Sequence, residues 1–549
     1  MIMMNFKRFA EICRNLEAIP GRLDRIELLS QAVSQCSTED LPAFVQLIRG
    51  RPFPDWSQEK LGIGPNLLYD AVAYVTGKKK EDVLKTINKT GDVGSAVEQL
   101  MAQKEQTSFF QTELTLQDVY TALHTIAGSG GAHSQRDKTR IIQKLLSDAS
   151  PVEGRYIAGI LLEDMRIGIG EGNLRDAIAS STGIDPGILD HGIQVTNDIG
   201  KVAVLARSGT AALSDLTIVL FHPVRMMLAK QGSISGALSD FHDITVENKY
   251  DGARFQFHAN RETSRIYSRK LEDVTNALPD VVSMLSKATT GHDIILDGEI
   301  VAVRDGRALP FQNVLKRFRR KHDISAASDE VELVPFLFDI LYLDGKTLIK
   351  FPFRERRKVL ENTIGSYVTP QITSNENEAI ESFYYAALDA GHEGIMLKNP
   401  EAPYTPGIRG KDWMKVKPEV DTLDLIVIGA QWGEGKRAHL YGSFLLACQQ
   451  DGKFLPVSRV ATGLSDDQLH WLYKELSGDV LSTSGKDLVF EPRLVFEVGY
   501  AEIQESPTYE AGYALRFPRF VRVREDKGSD EINTRADILD RYRQQNGSR

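Results

Sequence analysis

The chain has 549 residues, 42% of them hydrophobic, and a formal net charge of −9, enough to bury several cores and to form about three or four domains. No apolar run approaches the roughly eighteen residues that span a bilayer, and the first residues alternate apolar with charged positions, so neither a membrane span nor a leader is expected and the cytoplasm is the expected compartment. Cys13, Cys36 and Cys448 are the three cysteines; set far apart, they exclude a disulfide framework and a four-cysteine zinc site, and are expected to be free and buried.

The first two hundred residues repeat apolar positions at helical spacing in "LDRIELLSQAV", "DLPAFVQLIRG", "SAVEQLMAQ", "LQDVYTALHTIAG" and "TRIIQKLLSDA". An internal repeat lies among them: "GIGPNLLYDAVAYVTG" (62–77) and "GIGEGNLRDAIASSTG" (168–183) align without gaps. Gly-Ile-Gly opening a helix suits close approach of backbone amides to an anion such as a nucleic-acid phosphate, or equally a packing corner. Duplication favours two grips on one duplex. Between the copies, "QKEQTSFFQTEL" (103–114) presents Phe109 and Phe110 after Gln106 in a polar stretch, to be covered by the chain itself or by a partner.

From about Thr245 the period shortens to that of strands, in "RFQFH", "DIILDGEIVAV", "PFLFDILYLDG", "GIMLKN" and "DWMKVK". The stretch "ENKYDGAR" (247–254) sets Lys249 before an Asp-Gly turn signal. It reads either as a surface charge beside a turn or as a nucleophile presented at a strand end. A nucleophilic amine needs desolvation or nearby positive charge, which Arg254, Lys415 and Lys417 could supply while neutralising a triphosphate. Strand alternation places Phe336, Phe338 and Ile340 on one face, where an aromatic could stack on a purine, and Lys415 with Lys417 on another. Glu299 and Glu393 are hard oxygen donors suited to Mg2+ beside phosphates. Basic clusters occur at "KRFRRK" (316–321), "KFPFRERRK" (350–358) and "RFPRFVRVREDK" (516–527), each of which reads, taken alone, as a solvated face with salt-bridge partners. Past Pro418, short strands such as "LDLIVIGAQW" predict a small all-β module.

In this order and spacing, "KYDGAR", "DGEIVA", "FDILYLDG", "EGIMLK", "WMKVK" and "RFPRFVRVREDK" resemble the motif series of the covalent nucleotidyltransferase superfamily: ATP-dependent DNA ligases, RNA ligases and capping guanylyltransferases. The helical N-terminal region and the trailing β module narrow the resemblance to DNA ligases of the archaeal and eukaryotic replicative type. That resemblance implies a multidomain α+β fold. Its parts are an all-helical DNA-binding domain over 1–212, a mixed α/β nucleotidyltransferase core with antiparallel sheets over 213–418, and a C-terminal OB-fold β-barrel over 419–549. It implies nick sealing in duplex DNA through a lysyl-AMP intermediate, with ATP as co-substrate and Mg2+. By the same resemblance Lys249 carries AMP, Glu247 and Phe338 hold adenine, and Arg254 and Arg269 reach ribose and phosphate. Arg409 and Lys415 contact the phosphate side with Lys417 nearby, and Glu299 and Glu393 are metal or ribose ligands. Arg524, Asp526 and Lys527 close over the triphosphate. The segment "QTSFF" is similar to a sliding-clamp box, lacking its usual aliphatic residue, and the enzyme is expected to act as a monomer on nicked double-stranded DNA.

Overall fold

The computed structural model describes residues 3–104, 113–131, 134–304, 307–309, 311, 313–314, 331–417, 421–433 and 439–545. The chain divides into two compact units, 1–416 and 417–549.

Helices fill the first unit up to Ser214. Those expected from periodicity form at Arg22–Gln35, Leu41–Ile48, Val93–Ala102, Leu116–Gly128 and Ser134–Asp148. Local signals stop helix starts from fraying: Thr115 and Asp118 form a reciprocal capping box, and at helix Pro151–Leu161 the proline takes the first position while the Ser150 amide donates to the Glu153 carboxylate at 2.7 Å. One apolar core runs through the bundle, including Phe6, Phe9 and Phe44, and Cys13 and Cys36 lie in it as free thiols. The two Gly-Ile-Gly hairpins repeat in conformation. Gly62 and Gly168 both take left-handed φ, of 60° and 69°, and Gly64 and Gly170 cap helices Pro65–Thr76 and Glu171–Thr182. A cation supports each turn: the Lys138 ammonium donates to the Leu61 carbonyl at 2.7 Å, and the Arg25 guanidinium donates to the Gly168 carbonyl at 3.4 Å.

Among the described residues, the rest of the first unit holds eleven strands: β1 (Leu228–Gln231), β2 (Ile244–Lys249), β3 (Ala253–Ala259), β4 (Ser264–Ser268), β5 (Ile294–Arg304), β6 (Arg307–Leu309), β7 (Glu332–Leu343), β8 (Lys346–Thr347), β9 (Gln371–Ser374), β10 (Gly394–Lys398) and β11 (Arg409–Val416). They make a five-stranded sheet, β1-β11-β10-β2-β9, and a six-stranded one, β4-β3-β5-β7-β8 with β6 on β5. Pairing is antiparallel except between β1 and β11. Val246, Ile395, Leu397 and Met414 turn one face of the five-stranded sheet toward helices Ile234–Asp240 and Asn377–Asp389. The opposite face meets the six-stranded sheet, where Trp413, Met396, Ile295, Leu341 and Phe338 share a cluster.

The Asp251-Gly252 turn follows Lys249 at the end of β2, as expected, and carries the chain from the five-stranded sheet to the six-stranded one. Glycine is required there because a Cβ would collide with the Ile300 carbonyl and approach the Glu299 side chain at 2.8 Å. One local expectation changes: Phe336, Phe338 and Ile340 do not all share a face. Pairing against β5 slips twice, so that Phe338 and Leu341 are extra residues; Ile340 turns into the cluster of Leu337 and Phe255, while Phe338 turns toward Trp413. Bulges of this kind re-aim side chains beside functional clefts.

The second unit is a curled antiparallel sheet, the OB-fold part of the chain. Its longest strand, Thr422–Trp432, pairs with Val495–Gly499 along one half and with Asp487–Phe490 along the other, which is how the sheet bends around its core. The unit is not all β, since helices Asp466–Leu476 and Arg535–Gln545 pack on it. Cys448 is buried there as a free thiol. Among the described residues no helix is long and apolar enough to cross a membrane.

Candidate active site

Cross-strand register builds the site. Lys249 lies opposite Gly394, Glu247 opposite Met396, and Met396 opposite Lys415, while Lys398 lies opposite both Thr245 and Trp413. Side chains of directly paired residues share a face, so Lys249, Glu247, Lys398, Trp413 and Lys415 line the side of the five-stranded sheet that meets the other sheet. Lys249 ends β2, and its ammonium donates a hydrogen bond to Glu393, one residue ahead of β10. This pair remains partly open to solvent, with 19% and 29% of the two side chains exposed.

Glu247 is deeper. Its carboxylate accepts from Arg357 Nη1 at 3.2 Å and faces the Lys398 ammonium at 2.5 Å, with all three side chains at most 4% exposed. Burial pushes the Glu247 carboxyl up and the Lys398 ammonium down from their ordinary values, each opposed by the attraction of its partner. The Lys398 ammonium also sits in an aromatic cage, 4.7 Å from the Phe338 ring centre, 4.5 Å from that of Phe353 and 4.3 Å from that of Trp413.

The six-stranded sheet supplies the facing wall. Arg254 grips buried Asp297 with two hydrogen bonds, Nε at 3.1 Å and Nη2 at 2.7 Å, and its Nη1 donates to the Met227 carbonyl at 2.6 Å. Tyr404 completes the network by donating to Asp297 at 2.6 Å. Arg254 also lies 5.4 Å from the Phe338 ring centre. Glu299, opposite Arg254 and Phe336, has its carboxyl raised to about 7 by burial, against the attraction of Arg254 and Lys249 and with repulsion from Asp297 and Glu393. Two carboxylates that repel one another beside an amine fit a hard divalent cation, which takes few protein ligands when phosphates complete its shell. Among the described residues no cluster of three or more potential metal ligands occurs.

The remaining expected residues are more dispersed. Exposed Arg269 lines a cavity of about 630 Å3 with Arg49, Glu171 and Arg225, between the helices and the core. Arg409 is exposed at the start of β11, opposite Leu228. Lys417 lies beyond β11, the first residue of the second unit. In that unit Arg524 donates twice to Asp424 at 3.0 Å and to Asp526 at 2.9 and 2.8 Å, while Lys527 donates to Asp424 at 2.7 Å. Arg524 holds the Asp526 carboxyl well below the usual range. Gln106, Phe109 and Phe110 lie outside the described residues, as does "KRFRRK".

Sequence reasoning passed over Asp297, Asp339, Arg356, Arg357 and Lys398. Lys398, Asp297 and Asp339 stand inside quoted motifs, so the signal was present as a charged residue at an inward strand position. The arginines stood in a cluster read as solvated, yet Arg356 and Arg357 are buried while Arg354 and Lys358 beside them are exposed.

Two facing sheets with a strand-end lysine, a helical domain ahead and an OB-fold unit behind define a nucleotidyltransferase of the covalent type. Family models described as DNA ligase N terminus, ATP dependent DNA ligase domain and ATP dependent DNA ligase C terminal region match residues 5–179, 226–417 and 437–527. The chain is 58% identical to a DNA ligase of Methanospirillum hungatei over 99% of its length and 100% of that protein. It is 42% identical to a DNA ligase of Archaeoglobus fulgidus over 99% of both. The solved structure described as Pmar-Lig_Pre shares the fold, with a TM-score of 0.59 at 18% identity over 94% of this chain and 99% of that one. The chain belongs to the ATP-dependent DNA ligase family. Its activity is accordingly the joining of nicked DNA with ATP as co-substrate and Mg2+ as the usual metal.

Proposed function

We propose that Lys249 is the nucleophile of this ligase. It attacks the α-phosphorus of ATP and expels pyrophosphate; AMP then passes from the lysine to the 5′-phosphate of a nick, and the 3′-hydroxyl displaces AMP. The observation that carries this reading is the placement of Lys249 at the end of β2, hydrogen-bonded to Glu393 on the face that also bears Glu247, Lys398 and Lys415. Phosphoryl transfer asks the protein chiefly for positioning and charge neutralisation. Glu247 and Phe338 take adenine by its edge and its face, and Arg254, Arg269, Arg409 and Lys415 serve ribose and phosphates. Glu299 and Glu393 hold Mg2+, which supplies neutralisation of the transferring phosphate. Arg524, Asp526 and Lys527 act on the triphosphate from the OB-fold unit.

The helical region 1–212 grips the duplex through backbone phosphates without base readout, the core spans 213–418 and the OB-fold unit 419–549. The Gly-Ile-Gly hairpins, alike in conformation, support two phosphate grips. The segment 106–110 is the docking point for a sliding clamp, and the enzyme works as a cytoplasmic monomer. Incubation with α-labelled ATP tests the central claim. Lys249→Ala should lose all labelling while binding nicked duplex nearly as well as wild type, and a labelled variant would remove the lysine from its role.

A further inference from the structure

The cluster "KFPFRERRK" is left over from the roles above, and its two buried arginines do something a solvated face cannot. Helix Phe353–Thr363 carries them at consecutive positions, about 100° apart around its axis, so they reach different sheets. Arg356 donates to both oxygens of Asp339 at 2.8 Å, with 0% of either side chain exposed, and to the carbonyls of Phe351 at 2.6 Å and Ala402 at 3.1 Å. Asp339 is the residue after Phe338, on the bulged stretch of β7. Arg357 donates to Glu247 on β2 and to the carbonyl of Thr369, whose backbone amide in turn donates to the Leu337 carbonyl at 2.8 Å, one residue before Phe338. One helix therefore ties the strand of Glu247 to the strand of Phe338 from behind.

Burying ion pairs is a poor way to gain stability, since well-packed apolar side chains of similar volume commonly serve as well or better. Two such pairs from adjacent residues, each ending beside one of the two residues assigned to adenine, point instead to geometry. We infer that helix Phe353–Thr363 is the strut that sets the adenine subsite, with Arg357 the positioning residue for Glu247 and Arg356, acting through Asp339, the positioning residue for Phe338. The inference rests on the adenine-holding role proposed for Glu247 and Phe338. Arg357 touches neither substrate nor Lys249; it fixes the direction of a carboxylate that reads the base.

Self-adenylation of the full chain, followed with α-labelled ATP and α-labelled GTP over a range of concentrations, tests this. Arg357→Met should raise the half-saturating ATP concentration about tenfold or more, leave the limiting rate within about threefold, and narrow the preference for ATP over GTP. Arg357→Lys keeps a cation but loses the forked donor, and should fall between wild type and Arg357→Met. In a Glu247→Gln background Arg357→Met should add little, because the carboxylate it positions is gone. Glu247→Gln leaves the buried Lys398 ammonium without its carboxylate, so Arg357→Lys, which keeps a cation beside Glu247, is the variant that serves should Arg357→Met fail to fold. A normal half-saturating concentration with a reduced limiting rate, or effects that simply add in the double variant, would overturn the role of Arg357. If Glu247→Gln itself leaves nucleotide preference unchanged, the reading of Glu247 fails and the strut with it. Altered preference in Glu247→Gln with none in Arg357→Met removes the strut alone.

Discussion

Glu299→Gln gives the sharpest test of the electrostatics of the site. Burial and two neighbouring carboxylates lift Glu299 from an ordinary 4.5 to about 7 despite Arg254 and Lys249. A folded-state pKa above the unfolded one means that folding favours the protonated form. The contribution to stability is full below about pH 4.5 and is lost as pH rises through about 7. At about 1.4 kcal/mol per unit, the wild type should lose up to roughly 3 kcal/mol relative to the Gln variant across this window, less whatever solvent at the cleft mouth screens. Denaturant unfolding of both proteins from pH 5 to pH 8 reads the difference directly. The Gln variant should gain on the wild type as pH rises and the gap should level off above about pH 8. At that pH Mg2+ should restore stability to the wild type more than to the variant, because it relieves the repulsion between Glu299 and Glu393. A gap that stays constant from pH 5 to pH 8 would mean that Glu299 ionises in the ordinary range and that burial does not govern it.

Three further outcomes are expected. Asp339→Ala leaves the Arg356 guanidinium buried without its carboxylate, and should cost about 3 to 5 kcal/mol in urea unfolding; a cost under about 1 kcal/mol would mean that water enters to solvate Arg356. Arg225 joins the core to the helices, donating to Glu171 at 2.6 Å and to Asp55 at 2.5 Å with a third of its side chain exposed. Arg225→Ala should lower stability by about 1 kcal/mol at low salt and by less at 0.5 M salt, and a loss indifferent to salt would assign the effect to packing. Removal of residues 1–212 should weaken nick binding far more than self-adenylation, and the remaining full-length affinity should fall steeply with salt; equal losses in binding and adenylation would contradict the assignment of grip to the helices.

The site was legible in the sequence where chemistry is written locally. Lys249, Glu247 and Arg254 stand within eight residues, and the helix-forming segments announce themselves by spacing and by caps such as Thr115 with Asp118. What could not be read depends on register and long-range pairing. Alternation along "FLFDILYL" predicted one shared face, and two slips against β5 broke it; nothing in the residues of β7 marks them. The partners of Glu247 come from positions 357 and 398, more than a hundred residues away, so the burial of Arg357 was invisible beside its exposed neighbours. The helix Asp466–Leu476 is different. Ser465 and Gln468 form a capping box ahead of an apolar stripe, a local signal that the reading of an all-β module passed over.

The charge pattern of the core also separates what moves from what stays. The chain is acidic overall, and in this site Arg254 is matched by Asp297, Arg356 by Asp339, Arg357 and Lys398 by Glu247, and Lys249 by Glu393. Separating a buried pair leaves an uncompensated charge, so an arriving anion draws on cations that water already reaches, such as exposed Arg269 and Arg409 and Lys249 from its part-exposed pair. Asp339 with Arg356, and Glu247 with its two partners, are at most 4% exposed, whereas Lys249 and Glu393 are 19% and 29% exposed. Of these pairs the one most open to water is Lys249 with Glu393, the pair that an arriving phosphate or divalent cation could part at least cost. The buried pairs tie Asp339 and Glu247 to helix Phe353–Thr363 and stay closed to water.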